Sequence, residues 1–360
     1  LLLNAGMKQS PYVAWAKQHH AVTYNLASSG IAAPPIDEIE FGPEDLDLAG
    51  EHEDGWPPLL ERLATRYGVH SSQVVLAAGA SMANHLVCAL LLEPGNTVLV
   101  EHPVYEPLHA LPRYFHADVK FFERSATDGY PLSTATIEPL LDAGTRLLIC
   151  SNLHNPSGKW VRTSELEDLA HLAESRGFYI LVDEVYLEWL YSEGERTASL
   201  LGPRMITTRS LTKAFGLDAL RAGWILSSEE IADRLRRLND LFSITTPFPT
   251  ERMASRALDH ADGILAALKA RLAENRLLVE DFLSRHPELS WMAPDAGPVG
   301  FVQLKDGSVD ELVTRLLEKD AAVAPGRFFG VADYFRLGFG MKQETLIEGL
   351  RRLDEVLQQR

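Results

Sequence analysis

The chain has 360 residues with 23% charged side chains, enough for one large and one smaller domain with a substantial buried core. Its formal net charge of −16 excludes a partner recognised through a clustered basic surface, nucleic acid above all. Two cysteines far apart, Cys88 and Cys150, exclude a disulfide framework and the paired-cysteine zinc spacings, and charges interrupt every hydrophobic stretch short of a membrane span. A cytoplasmic protein with no membrane partner is expected.

The opening Leu1-Leu2-Leu3-Asn4-Ala5-Gly6 lacks the basic start and longer apolar stretch of a signal peptide, and Met7 is a candidate native start. Residues 1–45 are rich in Pro, Gly and Ser and show no sustained periodicity, so an extended arm lying on another surface is expected. From position 74 short apolar runs rich in β-branched residues recur: Val74–Ala78, Thr97–Glu101, Val119–Phe122, Arg146–Ser151, Tyr179–Asp183, Met205–Arg209 and Ala222–Ser227. They read as strands buried on both faces. Between the first five lie helix-like stretches such as Ser164–Arg176, with Ser164 and Glu167 as a capping box and Gly177 as the stop. The alternation predicts an α/β fold with a mostly parallel seven-stranded sheet covered by helices.

From about Ser228 longer amphipathic segments take over, Glu229–Asn239, Glu251–His286 and Val309–Lys319, with brief strand-like pieces around Val299–Leu304 and Arg336–Phe339. This predicts a smaller α+β C-terminal domain. The expected division is 1–45 as an arm and part of the small domain, 46–245 as the large domain and 246–360 as the small C-terminal domain.

Open α/β sheets bind ligands beyond the carboxyl ends of their strands, so the residues just after each strand carry information. The first strand runs into Gly79-Ala80-Ser81 and a helix, where backbone N–H groups and a hydroxyl suit a phosphate. The second ends near Tyr105, an aromatic ring able to stack on a flat heterocycle, and the fourth leads into Ser151–Gly158, with Asn155 as an amide donor. The bland readings are a helix cap, core packing and a polar loop. The fifth delivers Asp183, Glu184 and Tyr186; a carboxylate at the end of an apolar strand needs a partner, unless Asp183 is a helix cap. The sixth ends in Ser210-Leu211-Thr212-Lys213, with Arg221 eight residues beyond the lysine.

Asn155-Pro156-Ser157-Gly158, Asp183-Glu184-Val185-Tyr186, Ser210-Leu211-Thr212-Lys213-Ala214-Phe215-Gly216 and Leu220-Arg221-Ala222-Gly223-Trp224 follow one another in an order and spacing hard to produce by chance. In these motifs the chain, roughly from Gly30 to Gly340, resembles the class I and II aminotransferases of the fold-type I enzymes dependent on pyridoxal 5′-phosphate (PLP). The resemblance implies that the large domain binds PLP and that Lys213 forms a Schiff base with it and serves as the proton-transfer base. It implies that Asp183 keeps the pyridine nitrogen protonated, that Asn155 and Tyr186 bond the phenolic oxygen, and that Tyr105 stacks on the ring. Ala80, Ser81, Ser210 and Arg221 would bind the phosphate. Arg336 would take the substrate carboxylate bidentately, with Asn155 beside it and the Gly30 N–H meeting the same group. The implied activity is transfer of an amino group from an α-amino acid to a 2-oxo acid in two half-reactions, by a homodimer with its sites at the two-fold interface.

Two positions depart from the family pattern. Ala219 stands where Gly is usual, and Gly50, five residues before Gly55, stands where many members carry a tyrosine that crosses to the neighbouring subunit's phosphate. His52 is the nearby candidate to replace it. The alternative activities within the same fold are β-elimination, decarboxylation and racemisation, which share Lys213 and Asp183. A non-enzymatic regulator would need a fused DNA-binding module, which is not among these segments.

No G-x-G-x-x-G follows the first strand and no G-x-x-x-x-G-K-[ST] occurs, which argues against nicotinamide and nucleoside triphosphate enzymes. His102, His109 and His116 recur every seven residues without matching carboxylates, a surface stripe rather than a metal site. Trp15, His154, Phe328 and Phe329 are the expected side-chain pocket, pointing to an aromatic, polar or mixed substrate.

Overall fold

The computed structural model describes residues 9–35 and 39–359; the opening residues through Lys8, Met7 included, lie outside them. Pro11–Gln18 forms helix α1 and Tyr24–Asn25 the short strand β1. There follow α2 (Pro57–Tyr67), β2 (Val74–Ala78), α3 (Ala80–Leu91), β3 (Thr97–His102), α4 (Glu106–Tyr114), β4 (Asp118–Glu123) and α5 (Thr134–Ile137). Next come β5 (Thr145–Ser151), α6 (Thr163–Arg176), β6 (Tyr179–Asp183), β7 (Met205–Ser210), β8 (Ala222–Leu226) and α7 (Glu229–Asn239). The remainder is α8 (Phe248–Asp259), α9 (Ala261–Ser284), β9 (Leu289–Trp291), β10 (Val299–Leu304), α10 (Val309–Glu318), β11 (Ala321–Ala322), β12 (Ala324–Pro325), β13 (Tyr334–Gly338) and α11 (Gln343–Gln358).

The large sheet has seven strands in the order β2-β8-β7-β6-β5-β3-β4. Pairings among β7, β6, β5, β3 and β4 are parallel, while β8 runs antiparallel to both β7 and β2. The carboxyl ends of β2, β3, β5, β6 and β7 and the amino end of β8 therefore share one edge. Alternation along each strand feeds two cores. Leu147, Ile149, Leu181 and Ile206 pack with Leu86 of α3 and Leu235 of α7, whereas Leu148, Cys150, Ile180 and Val182 pack with Leu166 and Leu169 of α6.

The smaller domain is built on an antiparallel sheet in the order β12-β13-β10-β9, and β1 of the arm pairs in parallel with β11. Residues of α9, α10 and α11, among them Leu268, Leu312 and Leu353, form one cluster with Val302 and Leu337 of its sheet. Among the described residues, no helix is long and apolar enough to cross a membrane.

Three local expectations change. The arm is not wholly extended: Ser10 caps α1 by accepting from Val13 N–H at 3.1 Å, with Pro11 at the first helical position. Eight residues are too few for a hydrophobic period to stand out. Helix α6 starts at Thr163, so Ser164 lies inside it, and Glu165 rather than Glu167 reaches back to Arg162 N–H at 2.9 Å; Gly177 ends the helix at φ 83° as expected. The long segment after Glu251 is two helices, α8 and α9, joined at His260.

Candidate active site

Strand β6 ends at Asp183 and Glu184 follows it, and alternation sends the two carboxylates to opposite faces. Glu184 turns into the core, where its Oε2 accepts from Arg209 at 2.5 Å and its Oε1 from Ala198 N–H at 2.8 Å. Asp183, 6% exposed, turns to the shared sheet edge. There Oδ2 accepts from Asn84 of α3 at 3.1 Å and Oδ1 from Val185 N–H at 3.3 Å, so both hydrogen-bond donors among the described residues are neutral. Burial holds the Asp183 carboxyl above its ordinary pKa, against the pull of those two bonds.

The loop after β7 brings in Lys213, whose Nζ donates to Ser29 Oγ at 2.8 Å. Withdrawal from solvent, reinforced by the positive charge of Arg336, pushes its pKa down to about 8, with Asp183 pulling the other way. Beside it, the turn from β2 into α3 passes through Gly79 at φ 80°. A Cβ there would come within 2.4 Å of Arg221 Nη2, so glycine is required both for the backbone and for the approach of the arginine. Arg221 is itself left-handed, at φ 51°, with Nη1 donating to Asp218 O and Nη2 to Ala78 O at 3.3 and 3.4 Å. The start of α3 at Ala80 and Ser81, Arg221 and the Ser210 hydroxyl form a positive, donor-rich pocket suited to an anion.

Ala80, Ser81, Tyr105, Asn155, Asp183, Tyr186, Ser210, Lys213 and Arg221 all line one cavity of about 380 Å³. Tyr186 donates to Ser29 O at 2.8 Å, and burial pushes its phenol up to about 12. Asn155 is placed from below: its N–H donates to Ser151 Oγ at 3.0 Å, which donates in turn to buried Glu101 at 2.5 Å. Arg336 of β13 lies behind this wall with no solvent exposure. Its Nη1 donates to Asn155 Oδ1 at 3.1 Å, its Nη2 to Tyr12 OH at 2.6 Å and to Ala27 O at 3.0 Å, and its Nε is buried without an acceptor among the described residues. Every acceptor on this permanent cation among the described residues is neutral, which favours an arriving anion.

Gly30 stands next to the cavity, with its N–H donating to Ser28 Oγ at 3.3 Å; Ser29 is the arm residue that lines it. A second cavity of about 460 Å³ reaches Lys213 past Tyr12, Trp15, Ser28 and Tyr105. Of the expected side-chain pocket Trp15 lines this cavity, whereas Phe328, packed on Tyr12 and Trp15 at 5.7 Å, and Phe329 line a separate one with His102 and Arg327. His154 is not part of this pocket: it is fully buried, with Nδ1 at 2.6 Å from Ser157 Oγ and Nε2 at 2.8 Å from Pro103 O.

Tyr12, Ser29 and Asn84 escaped the reading of the sequence. Asn84 had a signal, lying one turn beyond Ser81 on a helix that starts at the cavity, whereas Tyr12 sits in a segment without visible periodicity. At Gly50 a Cβ would come within 2.2 Å of the Phe248 ring, and His52 bonds Gly50 O at 2.8 Å; neither residue lines the cavity. His102 bonds Glu123 at 2.9 Å and His109 bonds Arg113 at 2.6 Å, and no metal-binding group occurs among the described residues.

Comparison with known proteins bears on this geometry. The family model "Aminotransferase class I and II" matches residues 52–353. An arginine–pyruvate transaminase of Pseudomonas aeruginosa is 30% identical over 310 residues, covering 82% of this chain and 79% of that protein. An aspartate aminotransferase of Thermotoga maritima is 27% identical over 84% of this chain and 80% of its own length. The crystal structure of a PLP-dependent aminotransferase from Streptococcus suis superposes with a TM-score of 0.90 at 27% identity, covering 98% of this chain and 99% of the other. Motif order, sheet topology and this match over most of the chain make the protein a member of the class I and II aminotransferases, enzymes that depend on pyridoxal phosphate.

Proposed function

We propose that Lys213 is the centre of amino-group transfer in this aminotransferase, flanked by one residue that holds the cofactor ring and another that holds the substrate. One observation carries this reading. The Lys213 amine, held near pKa 8, lies between a buried carboxylate bonded to neutral donors and a buried guanidinium bonded to neutral acceptors. Such a site is complementary to a cationic ring nitrogen on the Asp183 side and to a carboxylate on the Arg336 side. With the anion pocket at Gly79 and Arg221, the residues present fit PLP.

When bound, PLP supplies an aldehyde for the amine and an electron-withdrawing ring that lets a Cα proton leave. Asp183 would hold the protonated ring nitrogen; Arg221, Ser210, Ser81 and the Ala80 N–H would hold the phosphate. Tyr186 and Asn155 would bond the phenolic oxygen, and Tyr105 would cover the ring face. Lys213 Nζ, with a pKa close to working pH, can take the Cα proton as a neutral amine and return it as an ammonium. Arg336, with Asn155 bonded to it, would fix the α-carboxylate shared by amino donor and oxo acceptor, with the Gly30 N–H as a further donor, so one site serves both half-reactions.

The reading extends to 46–245 as the PLP-binding domain, with 1–45 and 246–360 making the smaller one, and to a cytoplasmic homodimer. Exposed Leu241, Phe242 and Ile244 after α7, with the Phe242 ring 5.3 Å from His85 of α3, support a covered face there. The two cysteines, both free and buried, suit a reducing compartment. Arginine and aspartate are the first donors to assay, since two relatives are named for them. A panel of amino acids, followed through the cofactor's visible absorbance and the oxo acid formed, tests the reading. Pyruvate and ammonia released from an amino acid with a β-leaving group, without transfer, would assign elimination instead.

A further inference from the structure

Helix α1 is anchored beside the cofactor cavity and reaches the substrate side of the site. Buried Glu106, first residue of α4, accepts from Tyr12 N–H at 2.9 Å and from Ser10 Oγ at 2.5 Å. A carboxylate at a helix start is a favourable anchor for its orphan N–H groups. Tyr105, next to Glu106, meets the Tyr12 ring edge-on with centroids 5.5 Å apart. From this anchor the Tyr12 side chain, 7% exposed, reaches Arg336, accepts from its Nη2 at 2.6 Å and lines the cavity that opens on Lys213.

A phenol that accepts from a guanidinium still has its own proton to donate. An anion arriving at Arg336 therefore meets a second donor already positioned, and α1 need not move to provide it. We propose that the Tyr12 hydroxyl is a ligand of the substrate's α-carboxylate, acting with Arg336 and making this residue of the arm a determinant of specificity for carboxylate-bearing amines. The proposal rests on the reading that Arg336 receives that carboxylate. A neutral donor suits the place. It adds a charge-assisted hydrogen bond without a second positive charge, which would lower the Lys213 amine further than Arg336 already does.

The test is Tyr12→Phe in the holoenzyme, which removes the hydroxyl and leaves the ring packed between Tyr105 and Phe328. Calorimetric titration with propanoate, a carboxylate that has no amino or oxo group, should give a dissociation constant raised about 10-fold or more. The KM values for the amino donor and the 2-oxo acid should rise together, with kcat little changed. Reaction with a primary amine lacking a carboxylate, and the cofactor's absorbance, should stay as in the unmodified enzyme. If propanoate binds Tyr12→Phe as before while Arg336→Lys weakens it, Tyr12 is no ligand and the reading of Arg336 stands. If Arg336→Lys is also without effect, both fall. Equal losses toward propanoate and the simple amine would mark a packing role and overturn the proposal.

Discussion

Asn84 Nδ2 donates to Asp183 Oδ2 at 3.1 Å, while the same amide's oxygen accepts from Thr208 Oγ1 at 2.7 Å. The threonine thus sets which way the amide points, and the amide sets the orientation of the carboxylate. Asp183 is held in place by neutral groups, with burial opposing its charge.

Asp183→Asn should therefore separate stability from activity. A carboxyl whose pKa is raised on folding supports the fold fully below its unfolded pKa, and that support is lost as pH climbs through the folded one. In the cofactor-free protein, thermal melting at neutral pH should show Asp183→Asn at least as stable as the parent, with a weaker decline from acid to neutral pH. Turnover should drop by about 10²-fold or more, because an amide cannot balance a cationic ring nitrogen. Turnover near that of the parent would remove Asp183 from the ring.

Lys213→Ala should abolish the borohydride-reducible link to PLP and lower turnover by at least about 10²–10⁴-fold. A reduced cofactor on another peptide under native conditions would reject the assignment. The amine's pKa of about 8 adds a pH signature. Its reactivity toward a small aldehyde, read by peptide mass, should rise through about pH 8 rather than near the ordinary lysine value. Arg336→Gln should move that rise upward, since a positive charge that lowers the amine's pKa is gone.

Arg336→Lys should raise KM for α-amino acids by about 10-fold or more while cofactor retention is unchanged, because one ammonium cannot reproduce the bidentate fork. Arg336→Ala should raise it further. Steady-state kinetics with both substrates decide; unaltered KM values in Arg336→Ala would take this residue out of the carboxylate site.

Gly50 has a packing reason to be glycine. Its Cβ would come within 2.2 Å of the Phe248 ring, so Gly50→Ala should destabilise by about 1–3 kcal/mol in urea, and Gly50→Tyr by more. Phe248→Leu in the same chain should recover part of the loss. A Gly50→Ala protein as stable as the parent would show that the ring moves aside at no cost.

The large sheet was legible because strands buried on both faces are continuous apolar runs, and the reading of Val74–Ala78 and Tyr179–Asp183 agrees with β2 and β6 residue for residue. The cavity residues were legible for a related reason. In a parallel sheet the loops after the strands gather at one edge, so position after a strand already implies neighbourhood. Helix α1 left no such mark, being short and stabilised by a cap and by Glu106, which lies 94 residues from Tyr12.

Residue types and their order along the strands determined which chemistry this chain carries: a lysine, a carboxylate and an arginine at successive sheet ends. The tertiary structure alone decided that Asn84 of α3 is the amide that holds Asp183, that His154 is spent on Ser157 and Pro103, and that Tyr12 meets Arg336 across 324 residues of sequence. Periodicity reports local geometry over a few residues, whereas these partnerships depend on how the sheet twists and where the arm closes back on it, which no short window of sequence contains.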